Sequence, residues 1–366
     1  MPSMIKYPIV RPVLPALDNY QHYIKTVFDK VWLTNNGPMH QELERRLAAF
    51  LGVKHLMLVS NGTLALQVAY RALNLGEHVI TTPFSFAATA SSLAWQNHRC
   101  RFVDIDANSF NIDPSCIDDE LAAKCDGIVA THVFGNPCDV EALDALSQKH
   151  QLKVIYDAAH AFGCRYKGQS VLNWGDASTL SLHATKIFHT VEGGAIIFKH
   201  EADFNRAKQL INFGFDSAQY PEFVGINAKL NEINAAMGLA LLDDVERFQS
   251  HRIACVNTYH QLLATEFEFQ HWANDSSVNG AYMPLLCRTQ QELLQLMPML
   301  AELGVQTRRY FYPSLSEVPC YGMQGETPIA NGISQRVLCL PLYTDMTIKD
   351  VTDICGLVKQ ALKSIR

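Results

Sequence analysis

From about residue 40 onward, short continuous apolar runs alternate with longer segments of helical spacing, and few architectures accept that order. Residues 40–51 set Leu43, Leu47, Phe50 and Leu51 on one helical face. LMLVS at 56–60 then reads as a buried strand, and 63–75 as a helix. The cycle predicts strands at 78–81, 101–104, 127–132 and 152–157, with helices at 87–96 and 140–150 between them. Further strands follow at 178–182 and 195–198 around a Glu192-Gly193-Gly194 turn, and a long apolar helix at 230–248. Strands apolar on both faces, interleaved with helices, predict an α/β fold with a mostly parallel sheet covered by helices on both sides.

At 366 residues the chain is long enough for about two domains with large cores. The last third, richer in polar and aromatic residues and in proline after Gln306, reads as a smaller α+β domain. The expected division is 1–250 and 251–366. No apolar run reaches membrane-spanning length, and the opening MPSMIKYPIVRP lacks a signal-peptide core, so a cytoplasmic protein is expected. The net charge of −6 argues against a general attraction to nucleic acid. Ten scattered cysteines without a CxxC pair fit free thiols better than disulfides or zinc; no metal is expected.

Ligands of open α/β sheets gather at the carboxyl ends of strands, which gives weight to three strand-end segments. In Ser60-Asn61-Gly62-Thr63, Gly62 admits close approach of an anion, Thr63 offers a hydroxyl, and the following helix presents its free N–H groups; a plain N-cap by Asn61 or Thr63 accounts for the same residues. Asp157 ends the strand KVIYD, with two alanines and then His160. A buried carboxylate there can hold a pyridinium, or can merely cap the next helix. Ser181-Leu182-His183-Ala184-Thr185-Lys186 precedes the Gly-Gly turn, where a partly desolvated lysine can form a Schiff base, although most lysines are plain surface residues. GCRYKGQS, with Gln169 where a phosphate loop needs Lys, reads as a hairpin.

Taken in order, WLTNNGP, SNGTLAL, TTPFSFAATA, FVDID, HVFGNPCD, VIYDAAHAFG, SLHATK, EGGA, GINAKLNEINAAMG and RRYFYPSL resemble the DegT/DnrJ/EryC1/StrS family of sugar aminotransferases along nearly the whole chain. The resemblance implies a fold-type-I enzyme that uses pyridoxal 5′-phosphate. Lys186 would carry the cofactor and Asp157 bind its pyridine nitrogen. Phe86 would stack on the ring and His160 lie near the phenolic oxygen, with Gly62, Thr63 and Ser181 on the phosphate. Asn227 would reach the phosphate of a neighbouring subunit, which makes a homodimer with shared sites the expected assembly. Lys229, where many members carry Arg, and Asn61, where Ser is usual, depart from the pattern without touching the chemistry.

L-glutamate is the expected amino donor and a nucleotide-linked keto sugar the acceptor, as in deoxyamino-sugar and O-antigen lipopolysaccharide biosynthesis. Lys186 would move the proton as general acid and base. His183, and His189 beyond it, are candidates for the substrate side, where a structural role serves as well. Arg308, Arg309 and Tyr310 are candidates for the nucleotide diphosphate, with a solvated charge pair as the alternative. His183, and the Glu192-Gly193-Gly194-Ala195 turn, resemble the branch that aminates C4 of a dTDP-linked 4-keto-6-deoxyhexose; the branch acting at C3 usually has Tyr and Gly-Asp-Gly-Gly at these places. The competing expectations are the galacto epimer or another nucleotide-linked keto sugar, another pyridoxal phosphate enzyme of the same fold, and a non-catalytic regulatory protein that binds the cofactor.

Overall fold

A computed structural model describes residues 5–322 and 326–366. Its main sheet has seven strands: β1 (His55–Val59), β2 (His78–Thr81), β3 (Arg99–Phe102), β4 (Gly127–Thr131), β5 (Lys153–Asp157), and then, after the small hairpin strands β6 (Arg165–Tyr166) and β7 (Gln169–Ser170), β8 (Ala177–Ser181) and β9 (Gly194–Phe198). The order is β1-β9-β8-β5-β4-β2-β3. Only β9 runs against its neighbours, so the carboxyl ends of the other six lie along one edge.

Alternate residues of one strand serve two cores. Leu56 and Leu58 belong to the cluster on one face, and Met57 and Val59 to the cluster on the other. The helices of this part are α1 (Leu17–Lys30), α2 (Pro38–Leu51), α3 (Gly62–Ala72), α4 (Ala87–Trp95), the short α5 (Asp119–Ala122), α6 (Val140–His150), α7 (Glu201–Leu210) and α8 (Glu232–Leu242). Helix α2 starts after Gly37, which has no side chain to cap it. The buried Glu232 of α8 supplies the missing acceptor, taking the N–H groups of Met39 at 2.8 Å and His40 at 2.9 Å.

Two expected elements change. Strand β3 begins two residues before the expected start, paired in parallel from His78–Arg99 onward, and Asp104 instead accepts the N–H groups of Ile329 and Ala330. The single helix expected at 230–248 is two: α8 ends at Leu242, and α9 (Val245–Leu263) begins after a break at Asp243 and Asp244. Asp244 leaves helical geometry at φ −119°, ψ 5°, while the Asp243 carboxylate is drawn out to Arg46, Asn19 and Tyr23.

Helix α9 runs from the sheet core, through Val245 and Phe248, into a separate cluster that takes Cys255, Val256, Tyr259 and Leu263. That cluster also holds Tyr7, the two-stranded pair β10 (Pro284–Leu286) and β11 (Val337–Cys339), and helices α10 (Gln290–Glu302) and α12 (Ile348–Ile365). Helix α11 (Pro328–Arg336) packs Ala330 and Ile333 with Phe84 and Phe134. Among the described residues no helix is long and apolar enough to cross a membrane, and no cluster could hold a metal ion.

Candidate active site

Sheet register alone brings the three strand-end segments together. Asp157 lies between Thr131 and Thr179 on adjacent strands, and Ser181 and Val59 both pair with Gly194. They border a cavity of ≈ 350 Å³ whose wall includes Gly62, Thr63, Phe86, Asp157, His160, Ser181, His183, Lys186, Arg308 and Tyr310.

Asp157 is buried at the strand end. Its Oδ2 accepts from the Thr89 hydroxyl at 2.7 Å and its Oδ1 from the Ala159 N–H at 3.1 Å. Thr89 Oγ1 also meets Ser85 Oγ at 2.7 Å, and Ser85 meets Thr131 at 2.9 Å, so a chain of hydroxyls backs the carboxylate. Burial pushes the Asp157 carboxyl up; the two hydrogen bonds and the nearby Lys186 cation oppose it. No helix follows: successive turns, closed by Ala161 N–H on Ala158 O, lead to Gly163 at φ +71°.

The turns swing His160 back over the sheet edge. Its ring lies nearly parallel to Phe134 and Phe311, at centroid distances of 6.2 and 5.7 Å. Burial, with Lys186 beside it, lowers its pKa well below that of an ordinary histidine, and Nδ1 accepts from the Phe134 N–H at 3.2 Å. A neutral ring so held carries its proton on Nε2.

Lys186 projects from the loop joining β8 to β9. Backbone hydrogen bonds from Leu182 to Gly193, Ala184 to Val191 and Lys186 to His183 make that loop a compact hairpin. Burial drops the Lys186 pKa to about 8, against the pull of Asp157, and Nζ lies 3.2 Å from the Tyr282 hydroxyl. An amine in this range is available as a nucleophile and as a proton carrier near neutral pH.

Asn61 does cap α3, taking the Leu64 N–H at 2.8 Å, and this leaves the helix start facing the cavity. The backbone there is closely nested. A Cβ on Gly62 would come within 3.0 Å of Ser181 Cβ, and one on Gly194 within 2.5 Å of the Asn61 carbonyl oxygen. Phe86, 52% exposed just before α4, forms part of the cavity mouth. His183 Nδ1 meets Thr185 Oγ1 at 2.8 Å, with Glu192 at 3.6 Å from the other ring nitrogen.

The remaining expected residues part company. Arg308 lies in the cavity wall over the Tyr310 ring, at 4.6 Å. Arg309 turns away, lying 3.3 Å over Tyr312 and reaching the Ser334 and Gln335 carbonyls. Asn227 is exposed, bridged to Asn212, and outside the cavity of its own chain. His189 is buried, donating to Val13 O at 2.7 Å and accepting from Val191 N at 3.2 Å, so it ties the loop to the N-terminal segment. GCRYKGQS forms the expected hairpin, β6 and β7, with Lys167 and Gly168 at positive φ in its turn.

Residues that the sequence did not single out complete the wall, Tyr282, Phe311, Ser85 and Thr131, with Thr89 behind it on Asp157. Thr89 falls inside TTPFSFAATA, but its role depends on a partner 68 residues away.

The profile of the DegT/DnrJ/EryC1/StrS aminotransferase family matches residues 17–359. The chain is 38% identical, over 98% of both chains, to the dTDP-4-amino-4,6-dideoxy-D-glucose transaminase of Shigella dysenteriae. It is 37% identical to the Escherichia coli protein of the same name, covering 96% of this chain and 97% of that one. Among solved structures, DesI in the presence of its TDP-sugar product superimposes with a TM-score of 0.90 at 31% identity, covering 98% of this chain and 93% of that one.

Proposed function

The chain belongs to the DegT/DnrJ/EryC1/StrS aminotransferase family, and from that premise we propose that it transfers the amino group of L-glutamate to C4 of dTDP-4-keto-6-deoxyglucose, giving dTDP-4-amino-4,6-dideoxyglucose. It is a nucleotide-sugar aminotransferase dependent on pyridoxal phosphate. The observation that carries the reading is the Lys186 amine in a cavity floored by the buried Asp157 carboxylate and bordered by the start of α3.

These residues fit the cofactor. A carboxylate that bonds no cation among the described residues suits the pyridine N–H, Lys186 suits the aldehyde carbon, and the start of α3 with the Thr63 and Ser181 hydroxyls in the cavity wall suits a phosphate beside Gly62. We place Phe86 against the ring and the His160 Nε2–H near the phenolic oxygen. When bound, the cofactor supplies the electron-withdrawing ring that acidifies the donor's Cα. Lys186 Nζ would take that proton and hand it on instead of restoring it to Cα, as transfer of the amino group requires, while Asp157, fixed by Thr89, would balance the positive charge of the ring nitrogen. We assign Arg308 and Tyr310, in the cavity wall, to the nucleotide diphosphate and His183 to the sugar side.

Asn227 serves a phosphate only if it belongs to a second copy, so we assign a homodimer with shared sites. The exposed apolar residues Trp32, Leu33, Val191, Phe213, Val224 and Ile226 support it. We divide the chain within α9, near residue 250, into a large cofactor-binding part and a small C-terminal part. Cytoplasmic residence and a place in O-antigen lipopolysaccharide synthesis are part of the same proposal.

Incubation with glutamate and dTDP-4-keto-6-deoxyglucose, followed by NMR of the product, tests the reaction. An equatorial C4 amine is expected. An axial C4 amine would transfer the reading to the galacto epimer, and an amine at C3 or no amine would overturn it.

A further inference from the structure

Tyr282 stands beside the Lys186 amine. It lies 96 positions further along the chain, in the segment that enters β10, and its hydroxyl is 3.2 Å from Lys186 Nζ. The ring is wedged against His160 at a centroid distance of 4.4 Å and Phe134 at 5.5 Å, with Tyr310 edge-on at 5.4 Å.

The backbone that carries it is clamped from two sides. Asn279 gives its amide hydrogens to the carbonyls of His160 at 2.7 Å and Phe162 at 3.1 Å, and its oxygen accepts from the Ala281 N–H at 3.0 Å. Arg252 of α9 is buried, and its guanidinium bonds only backbone carbonyls: Gly280 at 2.8 Å, Ala281 at 2.9 Å and Leu342 at 3.1 Å. A buried cation engaged in this way is an expensive device, and it rigidifies the two residues before Tyr282. Asn279 couples the same segment to the turn that presents His160, so the phenol and the imidazole share one frame.

We propose that Tyr282 is the positioning residue for the Lys186 amine: its hydroxyl receives Nζ whenever the amine is free and fixes where Lys186 stands as it takes the donor's proton and hands it on. The proposal rests on the reading of Lys186 as the proton carrier. Burial raises the Tyr282 phenol above the ordinary tyrosine value, so the phenol stays neutral and takes a hydrogen bond but no proton. The proton removed from the donor's Cα therefore remains on Nζ until it is delivered. Charged and titratable groups facing the pair are Asp157 and His160 beside the amine, and Arg252, Arg308, Tyr310 and Cys339 around the phenol. Of these Asp157 favours the ammonium, and the hydroxyl favours it further, because hydrogen bonds to a charged donor are about twice as strong as neutral ones.

Tyr282→Phe removes one oxygen and keeps the ring contacts. The first readout uses the full chain stripped of pyridoxal phosphate: the pH midpoint for acylation of Lys186 by acetic anhydride, read by peptide mass spectrometry. The wild-type midpoint is expected near the value of about 8 that burial sets. The variant's should fall by about one pH unit, since its buried ammonium has lost an acceptor. In the holoenzyme kcat should fall about tenfold, with KM for both substrates within about twofold, as for a contact that places the amine rather than the substrate. An unchanged midpoint overturns the proposal, whether kcat falls or not, because a purely structural tyrosine would leave the amine's titration alone. The labelling needs neither donor nor sugar. A wild-type enzyme that fails to aminate the keto sugar would therefore count against the proposed reaction, while the midpoint still decides the role of Tyr282.

Discussion

Replacing Asp157 by Asn should make the cofactor-free protein more stable while disabling it. The carboxylate is buried on the cavity floor; its desolvation, which costs several kcal/mol, outweighs its two hydrogen bonds and the attraction of Lys186, since its pKa is raised on balance. The amide keeps the same shape. Its oxygen still accepts from Ala159, and the NH₂ faces Thr89, whose hydroxyl can rotate to donate along the chain to Ser85. Asp157 is also what holds the Lys186 pKa up, so its loss lets the amine become neutral rather than leaving an unpaired ammonium.

The net gain should be about 1–2 kcal/mol at pH 8. For 366 residues, at about 2.1 cal/mol/K per residue, each kcal/mol moves Tm by about 1.3 °C, so a rise of about 1–3 °C is expected. The sign follows from linkage. A carboxyl whose folded pKa lies above its unfolded value stabilises the fold at low pH and loses that contribution as pH rises through the folded value. The variant's advantage should therefore shrink as the solution is acidified from pH 8 towards the ordinary carboxyl range. Added pyridoxal phosphate should raise the wild-type Tm more than the variant's, and kcat should drop about 100-fold or more for loss of a charge-assisted bond of about 3 kcal/mol. Scanning calorimetry of both proteins with and without cofactor provides the check. A cofactor-free variant that melts below wild type at pH 8, or an advantage that grows on acidification, would show that the Asp157 carboxylate does not burden the fold.

Purified wild-type protein should be yellow, and borohydride should fix the cofactor to the peptide carrying Lys186. Lys186→Ala should lose both the fixed adduct and transamination while retaining the fold, and an adduct mapping to another lysine would remove the central assignment. Mixing Lys186→Ala subunits with Asn227→Asp subunits should restore part of the activity, because one site of the hybrid dimer then carries neither lesion; a fully active monomer in sedimentation would exclude shared sites.

Much of this protein was legible before folding because its signals are local. Continuous apolar runs such as KVIYD can satisfy both faces of a sheet only as interior strands, and the polar residues just beyond them, Asn61-Gly62-Thr63, Asp157 and Lys186, must then lie along one edge. Helix periodicity similarly located α2 and α6, but not the break at Asp243 and Asp244, where the Asp243 carboxylate is drawn out by residues of α1 and α2. Arg308 and Arg309 are the same residue type side by side; the extended backbone bridged to Cys339 sends successive side chains to opposite sides, so one enters the cavity and the other does not. Tyr282, Asn279 and Arg252 carry no motif at all. They acquire their roles from contacts across 96, 119 and 28 residues, and such meanings exist only once the chain has closed, because a hydrogen bond has no sequence of its own, only two ends that the fold must bring within about 3 Å.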